Sequence, residues 1–250
     1  TLKNAPSPPY FNNESRMDYF KRTSFNLEQW KLLYDTCKKN KIGFLSSPFS
    51  LEAVDLLEKL NVEEYKIPSG EITNIPLLEK LSKLDKNIYL SSGMSNWDEI
   101  GTAVNIFNKK KLCLLQCSSI YPCPPEKVGI NVMLEMKKKF NLEVGFSDHT
   151  EGVAASISAV ANGAIIVEKH FTFSKLMYGS DAKNSLEPKD FEYFCKAVKE
   201  AFIILKNPVD KDDLAEYKKM KNTFEKSIVS SKNLNSNHII TIHDLAFKKP

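Results

Sequence analysis

The feature that most constrains this chain is a repeat of form rather than of wording. Six times between Lys41 and Phe171 a short apolar run ends in small polar residues, and helical spacing fills the intervals. The runs are "KIGFLSSPF", "EEYKIPSGE", "KNIYLSSGM", "KLCLLQCSSIYP", "LEVGFSDHT" and "AIIVEKHF". Between them lie "SLEAVDLLEKL", "NIPLLEKLSKL", "NWDEIGTAVNIFNK", "NVMLEMKKKF" and "GVAASISAVANG". Short continuous apolar runs are how strands buried on both faces read. Strand–helix alternation has two common solutions, an open doubly wound sheet or a closed eight-fold barrel. No GxGxxG turn follows any run, which argues against the dinucleotide-binding version. Polar residues at every carboxyl end are what the active face of a barrel requires. The expectation is an α/β fold of the TIM (β/α)8 type, with six of the eight units present and two lying before residue 1.

The flanks read differently. "TLKNAPSPPYFNNES" is polar and proline-rich and reads as loop. "LEQWKLLYDTCKKN" is helical, with Trp30, Leu33, Tyr34 and Cys37 on one face. Ser50 is placed to cap the helix it opens, and Pro76 sits in a first turn. After the sixth run come the loop "TFSKLMYGSDAKNSLEP" and the long helix "PKDFEYFCKAVKEAFIIL". The expected division is a barrel domain over 1–208, a linker over 209–222, and the opening of a small β-rich domain over 223–250. A net charge of +4 on scattered lysines argues against a nucleic-acid partner and suits a small anionic substrate. The five cysteines include no CxxC pair, which points to free thiols in a reducing cytoplasm. No apolar run is long enough to span a bilayer, so no membrane partner is expected.

The strand ends hold the chemistry. Ser46, Ser47, Ser69, Ser91, Ser92, Ser118, Ser119 and Ser147 lie at or just past them, with Gly70 and Gly93 nearby. Such a ring of hydroxyls can bond phosphate oxygens. Lys66 stands inside an otherwise apolar strand. It either meets an anion there or extends outward between helices. Glu71 and Asp181 are the carboxylates nearest the expected mouth, either of which could hold a substrate hydroxyl or move a proton. The plainer roles are a helix cap for Glu71 and a turn residue for Asp181. Glu168 precedes His170 by two residues, so both face the same way on a strand. His149 and His170 end successive parallel strands, which lie ~4.8 Å apart. They either satisfy neighbouring polar groups or share one cation. Imidazoles suit Mn, Zn, Fe or Co, and two of them leave positions open to substrate. Phe44, Phe49, Met94, Phe146 and Phe171 read as core or pocket wall, and no cysteine has a paired histidine to make it a nucleophile.

Taken in order, "FLSSPFSLEAVDLL", "YKIPSGEITNIPLLEKL", "YLSSGMSNWDEI", "CSSIYPCPPEKV", "VGFSDHTEG", "VEKHFT" and "SLEP" resemble the sialic acid synthases. That family includes N-acetylneuraminate, legionaminate and pseudaminate synthases. The tail "SIVSSKNL…IHDLAFKKP" resembles the start of the family's C-terminal antifreeze-like (SAF) domain. The resemblance implies a metal-dependent, aldol-type condensation of phosphoenolpyruvate with an N-acetylated mannose-type sugar. It implies His149 and His170 as ligands of a divalent metal, Mn or Mg. Lys66, Ser47, Ser69, Ser91 and Ser147 match phosphoenolpyruvate-binding positions, while Glu71, Tyr121 and Asp181 match positions near the sugar. "KIPSGEITNIP" is closer to the legionaminate branch, which implies a 2,4-diacetamido-trideoxy sugar rather than N-acetylmannosamine.

The departures are specific. The resemblance implies two further strands at the start, bringing a Glu near the metal and a Lys for phosphoenolpyruvate, and a homodimer whose small domain supplies an Arg to the partner's site. In the loop "GSDAKNSLEP", Asp181 is kept but Ala182 stands where the family has His. A related synthase acting on arabinose or erythrose phosphate would need more basic residues in these loops. The alternative from another class is an incomplete remnant that binds ligand or partner without turnover. On that reading the isolated chain is poorly soluble or inactive.

Overall fold

The computed structural model describes residues 14–179 and 181–249. Two compact units divide between Leu205 and Lys206. Most of the stretch read as an opening loop, residues 1–13, lies outside the described residues. It is followed by α1 (Arg16–Thr23), a helix that sequence reasoning did not identify. Its eight residues bury nothing, so no apolar periodicity announces it. Ser15 caps it by accepting from the Asp18 amide.

The first unit continues with α2 (Leu27–Lys39), α3 (Leu51–Lys59), β1 (Glu64–Ile67), α4 (Ile75–Ser82), β2 (Asn87–Ser91) and α5 (Trp97–Val104). Then come β3 (Leu112–Cys117), α6 (Ile130–Phe140), β4 (Glu143–Asp148), α7 (Ala154–Ala161), β5 (Val167–Lys169) and α8 (Pro188–Lys206). The expected cap at Ser50 forms. Ser50 Oγ accepts from the Ala53 amide, and Asn74 and Asn96 open α4 and α5 in the same way.

The strands make one parallel sheet in the order β1–β2–β3–β4–β5, curled into a half-barrel. The α/β barrel-type reading holds, with five strands rather than six. The run read as the first strand makes only one parallel bridge, Ser46 to Tyr65, with the Lys66 amide donating to Ser46 O at 3.1 Å. Pro48 has no amide to continue a ladder, and the two serines before it leave little apolar side chain to bury. The sixth run is shortened to three residues, although Ile165 N and Ile166 O extend its bonding to β4.

Register decides which residues face the interior, because side chains alternate along a strand and in-register neighbours share a face. On one face Tyr65, Ile67, Ile88, Leu90, Leu114, Val144 and Phe146 are all at most 2% exposed, packed against the helices. Leu77, Leu78 and Leu81 of α4, Ile100 of α5, and Met133 and Met136 of α6 meet them there. The opposite face carries Lys66, Tyr89, Ser91, Cys117, Ser147 and Glu168. Among the apolar positions expected in core or pocket wall, Phe146 is buried and Phe44 packs on the core. Phe49, Met94 and Phe171 are instead 65%, 75% and 47% exposed. Each follows the end of a strand-like run and stands on a loop, where helix packing no longer covers it. All five cysteines are free thiols.

The second unit holds α9 (Lys218–Phe224) and an antiparallel pair, β6 (Ser227–Ser230) and β7 (Leu245–Lys248). Among its described residues only Asp244 is buried, 2% exposed. Lys232 Nζ donates to it at 2.8 Å, and His238 Nε2 and the amide and hydroxyl of Thr241 at 2.9 Å. Among the described residues no helix is long and apolar enough to cross a membrane.

Candidate active site at the strand ends

Lys66 resolves first. It is 7% exposed and lies on the interior face, not between helices. Its ammonium meets Glu168 Oε1 at 3.3 Å, and Ser147 Oγ donates to the same oxygen at 2.8 Å. Side chains of β1, β4 and β5, the first separated from the other two by β2 and β3, thus converge on one carboxylate across the interior of the curled sheet. The Cys117 thiol stands beside Ser69 and Ser147, and burial pushes its pKa up, which keeps it a neutral thiol.

The same interior face carries a hydroxyl that the protein leaves without a partner. Ser91 Oγ is buried without a hydrogen-bond partner, and a buried hydroxyl is seldom left so. A Cβ built on Gly93 would collide with Ser119 Oγ and stand 2.7 Å from Ser69 Oγ and 3.3 Å from Cys117 Sγ. Glycine here lets those hydroxyls and the thiol close directly on the backbone, and its amide donates to Ser69 Oγ at 3.1 Å.

The histidines meet at the next level. Their ring centroids are 5.4 Å apart, and Tyr121 lies 4.0 Å from His149 and 5.9 Å from His170. His149 Nδ1 is 2.6 Å from the Ser118 carbonyl, which can only accept, so Nδ1 carries the proton. Nε2 then holds the lone pair, toward which the Tyr121 hydroxyl donates at 3.0 Å. Burial pushes both histidine pKa values below the ordinary imidazole value. For His170 the Asp181 carboxylate acts the other way. Burial also pushes the Tyr121 phenol up to about 12, so it stays protonated. A cavity of ≈ 180 Å³ lies between Ser147, Asp148, His149, Glu168, Lys169 and His170.

Not every expected residue joins this cluster by a direct bond. Glu71 sits in the short turn Ser69–Glu71 and accepts from Asn74 Nδ2 at 2.7 Å, steadying the residue that caps α4. Asp181 is exposed, and its backbone carbonyl accepts from Ser185 Oγ at 2.7 Å. Ser47 is half-buried beside the Ser46 bridge. Sequence reasoning underused Glu168, noting its shared face with His170 but giving it no role. The signal was Lys66, because a buried ammonium needs a carboxylate on the same face.

Among the described residues, no three His, Cys, Asp or Glu side chains group as metal ligands. Two imidazoles, one with its tautomer set by a carbonyl, fit an open cation site completed by non-protein ligands. The whole chain can now be compared with known proteins. Residues 3–210 match the NeuB family. The chain belongs to the NeuB family. It is 40% identical over 244 residues to the N,N'-diacetyllegionaminic acid synthase of Campylobacter jejuni, covering 96% of this chain and 73% of that protein. It is 33% identical over 198 residues to the pseudaminic acid synthase of Helicobacter pylori, covering 78% of this chain and 58% of that one. Among solved structures, an N-acetylneuraminic acid (sialic acid) synthetase from Leptospira borgpetersenii, in complex with citrate, superposes with a TM-score of 0.74. That match has 32% identity and covers 82% of this chain and 73% of that one. These NeuB relatives are synthases of nonulosonic acids, and this chain shares their fold.

Proposed function

We propose that this NeuB-family chain carries out the condensation of phosphoenolpyruvate with an N-acetylated mannose-type sugar, yielding a nine-carbon nonulosonic acid and phosphate. The observation that carries the reading is the buried Lys66 ammonium on the same interior face as an unpartnered, buried Ser91 hydroxyl. An ammonium and a free hydroxyl at that depth suit a small, multiply charged anion.

The chemistry needs two ends held in line. Lys66, Ser69, Ser91 and Ser147 bind the phosphate and carboxylate of phosphoenolpyruvate, with Ser47 at their rim. Its third carbon attacks the sugar's aldehyde carbon with the electron pair of the carbon–carbon double bond, which leaves the second carbon positive, while the aldehyde oxygen takes up a proton from solvent. Water adds at the second carbon and gives a proton to Glu168, the interior carboxylate on Lys66 and Ser147. The tetrahedral carbon then expels phosphate by carbon–oxygen cleavage as its hydroxyl becomes the ketone carbonyl, the hydroxyl proton leaving with the phosphate. Tyr121, Glu71 and Asp181 orient the sugar's hydroxyls at the mouth. His149 and His170 would hold a divalent cation, Mn or Mg, which supplies Lewis-acid polarisation of the aldehyde when bound.

The sugar we favour is 2,4-diacetamido-2,4,6-trideoxymannose, giving legionaminate, over N-acetylmannosamine, giving N-acetylneuraminate. The 40% identity to a diacetyllegionaminic acid synthase supports that order. A cytoplasmic location fits five free thiols. A homodimer, and residues 223–250 as the start of an antifreeze-like domain, belong to the same proposal, the latter supported by the β6–β7 pair. The test is phosphate release from phosphoenolpyruvate with Mn2+ and each sugar, against His149→Ala. Release that needs one sugar and is lost in the variant is expected. Release independent of any sugar overturns the reading.

A further inference from the structure

Behind the histidines, on the helix side of the sheet, lies a charged pair with no part in the reaction above. Asp148 and Lys169 are in-register neighbours at the last rung of the β4–β5 ladder. Both side chains are 0% exposed, and Lys169 Nζ stands 3.1 Å from Asp148 Oδ2. Asp148 Oδ1 accepts from the amide and the hydroxyl of Thr150, each at 2.8 Å. Ser156 Oγ on α7 donates to Oδ2. Lys169 also donates to the Thr150 carbonyl and, at 3.3 Å, to its hydroxyl. Each charge therefore has a full set of partners. Burying such a pair contributes little net stability compared with apolar side chains, because desolvation offsets the attraction. Its retention calls for a reason other than stability.

Position supplies one. The ladder between β4 and β5 ends at Asp148 and Lys169. Beyond it, one ammonium on β5 grips Asp148 before His149 and Thr150 after it. His149 is thus bracketed on both sides by the residue that precedes His170 in the chain. We infer that the Asp148–Lys169–Thr150 network is a positioning device that sets where the two imidazoles stand relative to each other. Asp148 and Lys169 are positioning residues and touch no substrate. The consequence for cation binding rests on the proposed synthase reading; the placement of His149 does not.

The test uses the whole chain with Asp148→Asn/Lys169→Met. Removing both charges avoids leaving one stranded. Thermal melting by circular dichroism establishes that the variant folds. Proton NMR then reads the His149 Nδ1–H, which the 2.6 Å contact with Ser118 O should hold downfield and slow to exchange. Electron paramagnetic resonance of free Mn2+ reads cation affinity. The expected result is a folded variant whose Nδ1–H signal broadens or moves and whose Mn2+ affinity falls about 10–100-fold, as for other supporting shells of metal ligands. A folded variant with that signal in place overturns the proposal. A parent that neither binds Mn2+ nor releases phosphate, in which the double substitution still moves the signal, sinks the synthase reading and leaves the positioning role standing. If the double variant does not fold, Thr150→Val keeps both charges and removes only the shared hydroxyl, and it should move the same signal less.

Discussion

At the scale of single residues, the candidate site sets one buried ammonium against one carboxylate, and on the proposed function an anion bound there would re-divide that pair. Lys66→Met should leave the sheet intact, since methionine fills the same shaft. It should weaken phosphoenolpyruvate binding by roughly 10–100-fold, the range for losing charged hydrogen bonds of about 1.5–3 kcal/mol. Isothermal titration checks this, and unchanged affinity would remove Lys66 from the anion site. Gly93→Ala is the complementary experiment. The added methyl would push Ser119 and Ser69 out of place. A folded variant that has lost phosphoenolpyruvate binding is expected; full binding would mean that the placement of these hydroxyls does not matter to the anion. Lys66, His149 and His170 were legible in the sequence because each breaks an apolar pattern. Glu168 and Gly93 were less so. A glutamate at a strand end and a glycine in a turn are both ordinary until the neighbours that approach them are known.

Elements follow a different logic, in which local chemistry usually decides and edges are where it fails. The cap at Ser50 was readable because a side-chain acceptor must stand where the first helical amides have none, whereas Asn74 and Asn96, which cap by the same chemistry, were not singled out. The short α1 was unreadable because it buries no face, and the run ending in "SSPF" looked like a strand because alternation supplied the pattern that Pro48 interrupts. In the second unit, the β6–β7 pair depends on a carboxylate. Asp244 is held well below the usual carboxylate range, first by Lys232 and then by His238. An unfolded chain therefore takes up a proton before the folded one does. The stabilisation is present above the ordinary value of about 4 and is lost as pH falls from there toward the depressed one. Hydrogen-exchange protection over Ser227–Ser230 and Leu245–Lys248 should decline across that acid window. Asp244→Asn should lower protection at neutral pH and flatten the dependence. A variant with the parent's pH profile would show that the carboxylate does not hold this pair.

For the whole molecule, alternation of strand and helix revealed the fold class, and no local signal could reveal how many strands would pair. Pairing is a long-range property, set by which backbone groups find partners. The sheet has a centre and two edges, and stability should follow that order. Every residue of β3 is buried, with a partner strand on each side, whereas the three residues of β5 are half-buried. Native-state hydrogen exchange should find Leu112–Cys117 slowest and Val167–Lys169 fastest among the strands of the first unit. Equal rates in both would mean that the half-barrel opens as one piece.

The alternation at the ends of β4 and β5 also limits how this chain can change its length. His149 and Asp148 point to opposite faces, as do His170 and Lys169. Losing or gaining a single residue within either strand would turn an imidazole into the helix layer and bring a charge to the mouth. Losing or gaining two would restore each side chain to its own face, one rung displaced. Descendants of such a gene should therefore carry odd insertions and deletions only in the loops between elements. Within these two strands, only changes of even length keep each side chain on its own face.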